Sequence, residues 1–364
     1  KVRAAAEIIN GCRKPLIIAG GGAAEGNSSE NLKKLAEILD APVTYTLMGK
    51  GVISDGDRRN LGMLGMHGTV AAAKALIECD CLIALGTRFS DRVALNRNLF
   101  GGGKKIIHVD IDNAEFNKNV PVTLGVLADV DDCLKKLIPL VEKKDGNWLE
   151  NAICAGQSVK LADCRAYEIL RSAAKHAPDG SPLITDVGQH QMWAAQAYPL
   201  AYPRRFCSSG GLGTMGYGLG AAIGAAFGCG KLCVLVTGDG CFNMNLNELS
   251  TAVTEGVPVV ILLMNNGVLG MVRQWQKIFY QKRFSQTTLK KKTDYIKFAE
   301  SFGAKGILLS ENDDIDEKLK EAFDYAIKNC SPVLVDCRIS NDDNVLPMIK
   351  PGATSDTQLK NMED

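Results

Sequence analysis

The chain's chemistry is most visible at Gly238-Asp239-Gly240, followed about 26 residues later by Asn265-Asn266. A carboxylate and an amide oxygen are ligands a hard cation such as Mg²⁺ accepts, and Mg²⁺ commonly shares its coordination with phosphate oxygens. Glycines beside Asp239 would let backbone N–H groups approach a diphosphate with no Cβ in the way. Each piece alone is also an ordinary turn sequence, because Asp, Asn and Gly all favour turns.

For Asp239 and Asn266 to act together, the elements around them must bring them to one place. The stretch 231–238, KLCVLVTG, reads as a buried strand; Leu246, Leu249 and Val253 mark a helix; and 257–266, VPVVILLMNN, reads as a second strand. In a right-handed βαβ unit both strands run the same way. Asp239 and Asn266 are therefore expected at the carboxyl edge of one sheet, where open α/β folds bind ligands.

The same alternation runs along the chain. Strands are expected at 15–22, 81–86, 105–111, 183–188, 306–309 and 332–338. Between the first two, Leu32, Leu35, Ala36 and Leu39 recur at helical spacing. Apolar strands alternating with amphipathic helices point to parallel sheets covered on both faces. At roughly 150 residues per domain, 364 residues suggest two or three domains.

Composition excludes several classes. Forty-two basic against 41 acidic residues leave a net charge of +1, and no basic patch stands out beyond Lys290–Lys292, so nucleic acid is not an expected partner. No apolar run approaches the ~20 residues needed to span a bilayer, so no membrane is expected either. The 12 cysteines are scattered without a Cys-x-x-Cys pair. Zinc ribbons and redox dithiols are thereby disfavoured, and buried thiols in a cytoplasmic protein are expected. His108 and His176 read as structural, and no Ser-His-Asp arrangement is visible at local spacing.

Gly-Asp-Gly with Asn-Asn resembles the cofactor motif of thiamine-diphosphate enzymes. The segments VGQHQMWAAQ (187–196), GGLGTMGYGLGAAIGA (210–225), GMVRQWQ (270–276) and NVLPMIKPG (344–352) resemble the large, catalytic subunit of acetohydroxyacid synthase, also called acetolactate synthase. The resemblance runs nearly the whole length of the chain. It implies that Asp239, Asn266 and the backbone carbonyl of Val268 bind Mg²⁺. It also implies that Gly188, Gln189 and His190, with Gly213, Gly240, Cys241, Leu269 and Gly270, hold thiamine diphosphate. Cys241 replaces the more usual serine, which removes a hydroxyl from that set. Met215 would prop the cofactor in its bent form, Met271 would line the reacting centre, and Trp275 would favour 2-oxobutyrate as second substrate. Without the resemblance the two methionines would read as core filler and the tryptophan as packing.

Glycines at 20–22, two arginines and strand-end acids in the first half suit a dinucleotide. This half resembles the FAD-binding middle domain of the same family, especially at GMHGT, GTRFSDRV and the stretch 110–129. The resemblance implies flavin contacts from Gly21, Gly22, Met66, His67, Gly86, Arg88, Ser90, Arg92, Val93, Asp110, Ile111 and Asp129. Fermentative relatives keep the domain and lose the flavin; Arg88 and Arg92 favour retention here.

Residues 211–216, Gly-Leu-Gly-Thr-Met-Gly, also spell the dinucleotide fingerprint G-x-G-x-x-G. That reading needs a strand before the glycines and an acidic residue after the next strand. RRFCSS is not a clear buried strand, and Asp239 belongs to the metal motif, so a Rossmann dehydrogenase is not expected.

The expected architecture is α/β, with two doubly wound parallel-sheet domains: a middle domain over 1–145, a linker or exposed connecting helix over 146–165, and a thiamine-diphosphate domain with a C-terminal tail over 166–364. Lys1 opens the chain without a methionine. The family's N-terminal pyrimidine-binding domain, which carries its catalytic glutamate, would precede that point, so the chain alone is expected to be inactive. The implied reaction decarboxylates pyruvate and joins the remaining two carbons to pyruvate or 2-oxobutyrate, on the route to the branched-chain amino acids. Implied partners are 2-oxoacids, further copies in a homodimer or tetramer, and a regulatory subunit. The alternatives are glyoxylate carboligase or a flavin-free fermentative acetolactate synthase, against which Trp275 and Arg92 weigh, and a non-catalytic nucleotide-binding scaffold, against which Asp239 and Asn266 weigh.

Overall fold

The computed structural model describes residues 1–157, 164–290 and 292–360. They divide into two compact units, one of residues 1–162 with 200–204 and 346–364, the other of residues 163–199 with 205–345. Part of the expected linker, residues 158–163, lies outside the described residues, as do the middle lysine of the Lys290–Lys292 run and the end of the tail, 361–364. None of the described cysteines is joined in a disulfide, and no described helix is long and apolar enough to cross a membrane.

The first unit is built on a six-stranded sheet with β1 (Pro15–Ala19), β2 (Val43–Tyr45), β3 (Asn60–Met63), β4 (Cys81–Leu85), β5 (Lys105–Asp110) and β6 (Leu124–Leu127) in the order β3-β2-β1-β4-β5-β6. Every pairing is parallel. All five residues of β1 and of β4 are buried, as expected for central strands covered by helices on both faces. The chain leaves β1 toward one edge and returns at β4 on the other side, so β1 and β4 flank a topological switch point.

Within the expected linker or exposed connecting helix, residues Trp148–Gln157 do form a helix, but it packs on helix Val70–Glu78 of this unit rather than standing exposed. Trp148 and Leu149 are buried, and the Trp148 indole donates to the Pro15 carbonyl at 2.8 Å. A polar run such as EKKDGN hides the apolar positions that follow it. The tail also groups with this unit rather than the second: Ile349 N–H donates to Met66 O at 2.8 Å, and Gln358 Nε2 to Gly68 O at 2.7 Å.

The second unit carries β7 (Leu183–Thr185), β8 (Phe206–Ser208), β9 (Cys233–Gly238), β10 (Val259–Asn265), β11 (Lys305–Leu309) and β12 (Val333–Arg338), again wholly parallel, in the order β11-β12-β10-β9-β7-β8. β9 and β10 are buried along their whole length. Its switch point lies between β7 and β9.

β8 corrects one premise of the sequence reading. RRFCSS does contain a strand, Phe206–Ser208, paired with β7, and the glycine segment after it leads to a helix, Gly218–Cys229. Three residues at a sheet edge are too short to show periodicity.

Candidate active site

β9 ends at Gly238 and a helix starts at once, Asp239–Asn245, placing Asp239 in its first turn and almost fully buried at 3% exposure. β10 ends at Asn265, beside β9 in parallel register. The two adjacent asparagines then diverge. Asn265 Nδ2 donates to Asp336 Oδ1 at 2.8 Å and ties β10 to β12, whereas Asn266 lines a cleft.

That cleft is open to solvent and lies at the carboxyl edge of β7, β9 and β10, with room for about 100 Å³ of occupant. Asp239, Asn266 and Val268 line it together with Gly188, Gln189, His190, Met215, Gly240, Cys241, Leu269, Gly270 and Met271. Gly213 and Trp275 are not among its lining residues. Gly213 sits at φ +66 in the exposed glycine segment, and Trp275 stacks edge-on against Phe279 at 5.6 Å, one turn beyond Met271.

The loop carrying Val268 is pinned from outside. Leu269 N–H donates to Thr287 O, and Leu289 N–H donates to Gly267 O, both at 2.8 Å. Val268 N–H donates in turn to Asn266 Oδ1 at 3.1 Å. Opposite, Gly240 faces Leu269 and Met215: a Cβ there would lie 2.9 Å from Leu269 Cδ2 and 3.5 Å from Met215 Cε. A methyl group at that position would press on the end of the Leu269 side chain.

His190 is buried, and burial lowers its pKa to about 4, so the imidazole is neutral near pH 7. Its Nε2 has no hydrogen-bond partner among the described residues. Cys241 is pushed up to about 12 by burial, stays a thiol, and donates to Val187 O at 3.2 Å.

Four residues that the motifs did not single out organise the cleft. Asp186, just past β7, is 1% exposed; its Oδ1 accepts the N–H groups of Gly216 (2.9 Å) and Gly218 (3.0 Å). Thr237 on β9 donates to its Oδ2. Asn245 Nδ2 donates to Gly216 O at 2.7 Å, closing the turn at Gly216, whose φ of +85 suits glycine. Buried Gln274 contacts Gln189. Asp186, directly before the Val-Gly-Gln-His segment, and Gln274, inside GMVRQWQ, were the visible cues.

These features fit a diphosphate held with a hard divalent cation: a buried carboxylate, an amide oxygen and a backbone carbonyl as oxygen donors, a bare glycine wall, and a buried imidazole nitrogen left without a partner.

In the first unit, Gly21 and Gly22 follow β1, Gly86, Arg88 and Ser90 follow β4, Asp110 ends β5 with Ile111 next, and Asp129 follows β6. They share the carboxyl edge around the β1/β4 switch point, where dinucleotides bind in such folds. Arg88 and Arg92 are exposed, Arg92 reaching Met66 Sδ at 3.9 Å, and Ile111 is 74% exposed. Met66, His67 and Val93 are buried. Gly22 and Asp129 already have structural work. Gly22 N–H donates to Gly86 O at 3.1 Å, and the Asp129 carboxylate caps helix Val130–Leu137 through the N–H groups of Asp131 and Asp132. The edge as a whole fits a flavin dinucleotide through its arginines and Asp110.

Two family models match the chain: the thiamine pyrophosphate enzyme central domain over residues 2–137 and the thiamine pyrophosphate enzyme C-terminal TPP binding domain over 186–337. The chain belongs to the thiamine pyrophosphate enzyme family, of which it carries these two domains. Within it, the chain is similar to acetolactate synthases. It is 40% identical to that of Mycobacterium bovis, 38% identical to the large subunit of Haemophilus influenzae, and 41% identical to a probable large subunit of Methanocaldococcus jannaschii. These matches cover 98%, 97% and 97% of this chain and 60%, 64% and 62% of the relatives. The chain thus spans about 60% of the length of the curated relatives it matches.

Proposed function

We propose that the chain forms the diphosphate-binding and middle domains of an acetolactate synthase, an enzyme that decarboxylates pyruvate and joins the two-carbon remainder to pyruvate or 2-oxobutyrate in branched-chain amino acid biosynthesis. The carrying observation is the cleft at the β7/β9 switch point, which gathers Asp239, Asn266, Val268 and the bare glycine wall. Similarity to acetolactate synthases supports the choice of reaction within the family.

Bound thiamine diphosphate would supply the electron sink for the carbon–carbon bond broken as CO₂ leaves. The protein's own part is holding and excluding. Asp239, the Asn266 oxygen and the Val268 carbonyl would hold Mg²⁺, with Gly188, Gln189, His190, Gly240, Cys241, Leu269 and Gly270 around the diphosphate. Met215 and Met271 present apolar surface that keeps water from the reacting carbons. Trp275, a turn beyond Met271, would act on the second substrate. On the first unit, Arg88, Arg92 and Asp110 would hold FAD in a structural role. Homodimer or tetramer assembly, a regulatory subunit and a cytoplasmic setting belong to the same reading.

The test is Mg²⁺-dependent binding of thiamine diphosphate, acetolactate formation and flavin absorption in the intact protein carrying this chain. Asp239→Ala should abolish the metal-dependent binding; undiminished binding would overturn the assignment. A colourless but active enzyme would favour the flavin-free relatives.

A further inference from the structure

We infer that Gln274 is a positioning residue for Asn266, acting through Gln189 to keep the Asn266 amide nitrogen engaged and its oxygen available to a divalent cation. The inference rests on the proposed Mg²⁺ and thiamine diphosphate reading.

A side-chain amide has two ends of nearly equal size and opposite chemistry, and only the oxygen can ligate a cation. Backbone N–H and C=O groups cannot exchange places, so an amide paired with both groups of one residue inherits a fixed polarity. Gln274 is paired in this way. Val345 N–H donates to Gln274 Oε1 at 2.8 Å, and Gln274 Nε2 donates back to Val345 O at 3.1 Å. A reversed Gln274 would set donor against donor and acceptor against acceptor at both contacts.

Polarity then passes inward. Gln274 Oε1 accepts from Gln189 Nε2 at 2.9 Å, and the same nitrogen donates to Asp343 O at 2.8 Å. Both Gln189 amide hydrogens are thereby engaged, which leaves its Oε1 to accept from Asn266 Nδ2 at 3.4 Å. Asn266 Oδ1 accepts the Val268 N–H and retains a second lone pair.

Gln274 and Gln189 are 2% and 4% exposed, and a misdirected amide in such surroundings is costly. The backbone closes directly on the relay: a Cβ on Gly270 would lie 1.9 Å from Gln189 Oε1 and 3.0 Å from Asn266 Nδ2. Gly270 opens the helix Gly270–Phe279 that carries Gln274 one turn later.

The experiment titrates Mg²⁺ into the intact protein at saturating thiamine diphosphate, followed by tryptophan fluorescence, with thermal melting to verify folding. Gln274→Met is expected to raise the half-saturating Mg²⁺ by about 10–100-fold, the range for partners that orient metal ligands, with activity returning at saturating Mg²⁺. Gln274→Glu, which keeps the oxygen that receives Gln189 and Val345, should lose less. In an Asn266→Asp background either end can ligate, so Gln274→Met should there shift the midpoint by less than about 3-fold. Unchanged titration in Gln274→Met, equal losses in the two backgrounds, or Glu no better than Met would each overturn the inference. Wild-type protein that shows no Mg²⁺-dependent binding would overturn the functional reading, and this inference with it.

Discussion

Thr237 donates its hydroxyl to Asp186 Oδ2 at 2.7 Å, so the carboxyl end of β9 is tied to the end of β7 across the switch point that holds the cleft. The other oxygen of Asp186 receives Gly216 and Gly218, which brings the glycine segment bearing Met215 to the same place. One buried carboxylate thus joins three segments.

Asp186→Ala leaves two buried N–H groups without an acceptor, and the expected destabilisation is about 3 kcal/mol. Thr237→Val removes a single donor and should cost about 1 kcal/mol. Urea unfolding compares the two, and equal losses would show that the glycine segment does not depend on Asp186.

Glycines of this unit should respond in opposite directions. Gly270→Ala drives a methyl group into Gln189 and should abolish Mg²⁺-dependent binding. Gly224, in the exposed face of helix Gly218–Cys229, has nothing within 4 Å of a built Cβ. Gly224→Ala should therefore stabilise by about 0.5–1 kcal/mol through helix propensity alone, measurable as a raised urea midpoint.

His67 in the first unit is lowered to about 4, first by burial and then by the Arg92 charge. Its folded pKa lies below the ordinary 6.5, so the unfolded chain takes up the proton first. Stability from this group is full above pH 6.5 and falls between pH 6.5 and 4, by up to about 3 kcal/mol. Denaturation across that range should show the loss, and His67→Gln should flatten it.

Cys241 should resist alkylation. A thiol pushed up to about 12 and buried offers almost no thiolate at pH 8. Mass spectrometry after iodoacetamide treatment of the native protein should find Cys154 and Cys330, both exposed, modified well before Cys241.

The sequence determined the parts whose signal is local. Buried strands such as 231–238 and 257–266 announce themselves by apolar runs, helices by their spacing, and Asp239 with Asn266 by a motif whose two pieces sit at the ends of one βαβ unit. The parallel sheets follow from that alone, and so does the expectation that Asp239 and Asn266 meet at one sheet edge. The tertiary structure decided what depends on partners distant in the chain. Short strands such as β2, β3, β6 and β8 exist because a neighbour supplies their hydrogen bonds. Helix Trp148–Gln157 packs into the first unit, where an exposed connection was expected, because Trp148 finds Pro15. Asn265 and Asn266 are indistinguishable as letters, yet Asp336 claims one for the sheet and leaves the other to the cleft. Gln274 gains its role only because Val345, 71 residues onward, fixes which way its amide points. Hydrogen-bond polarity is a property of partners in space, and a one-dimensional pattern does not carry it.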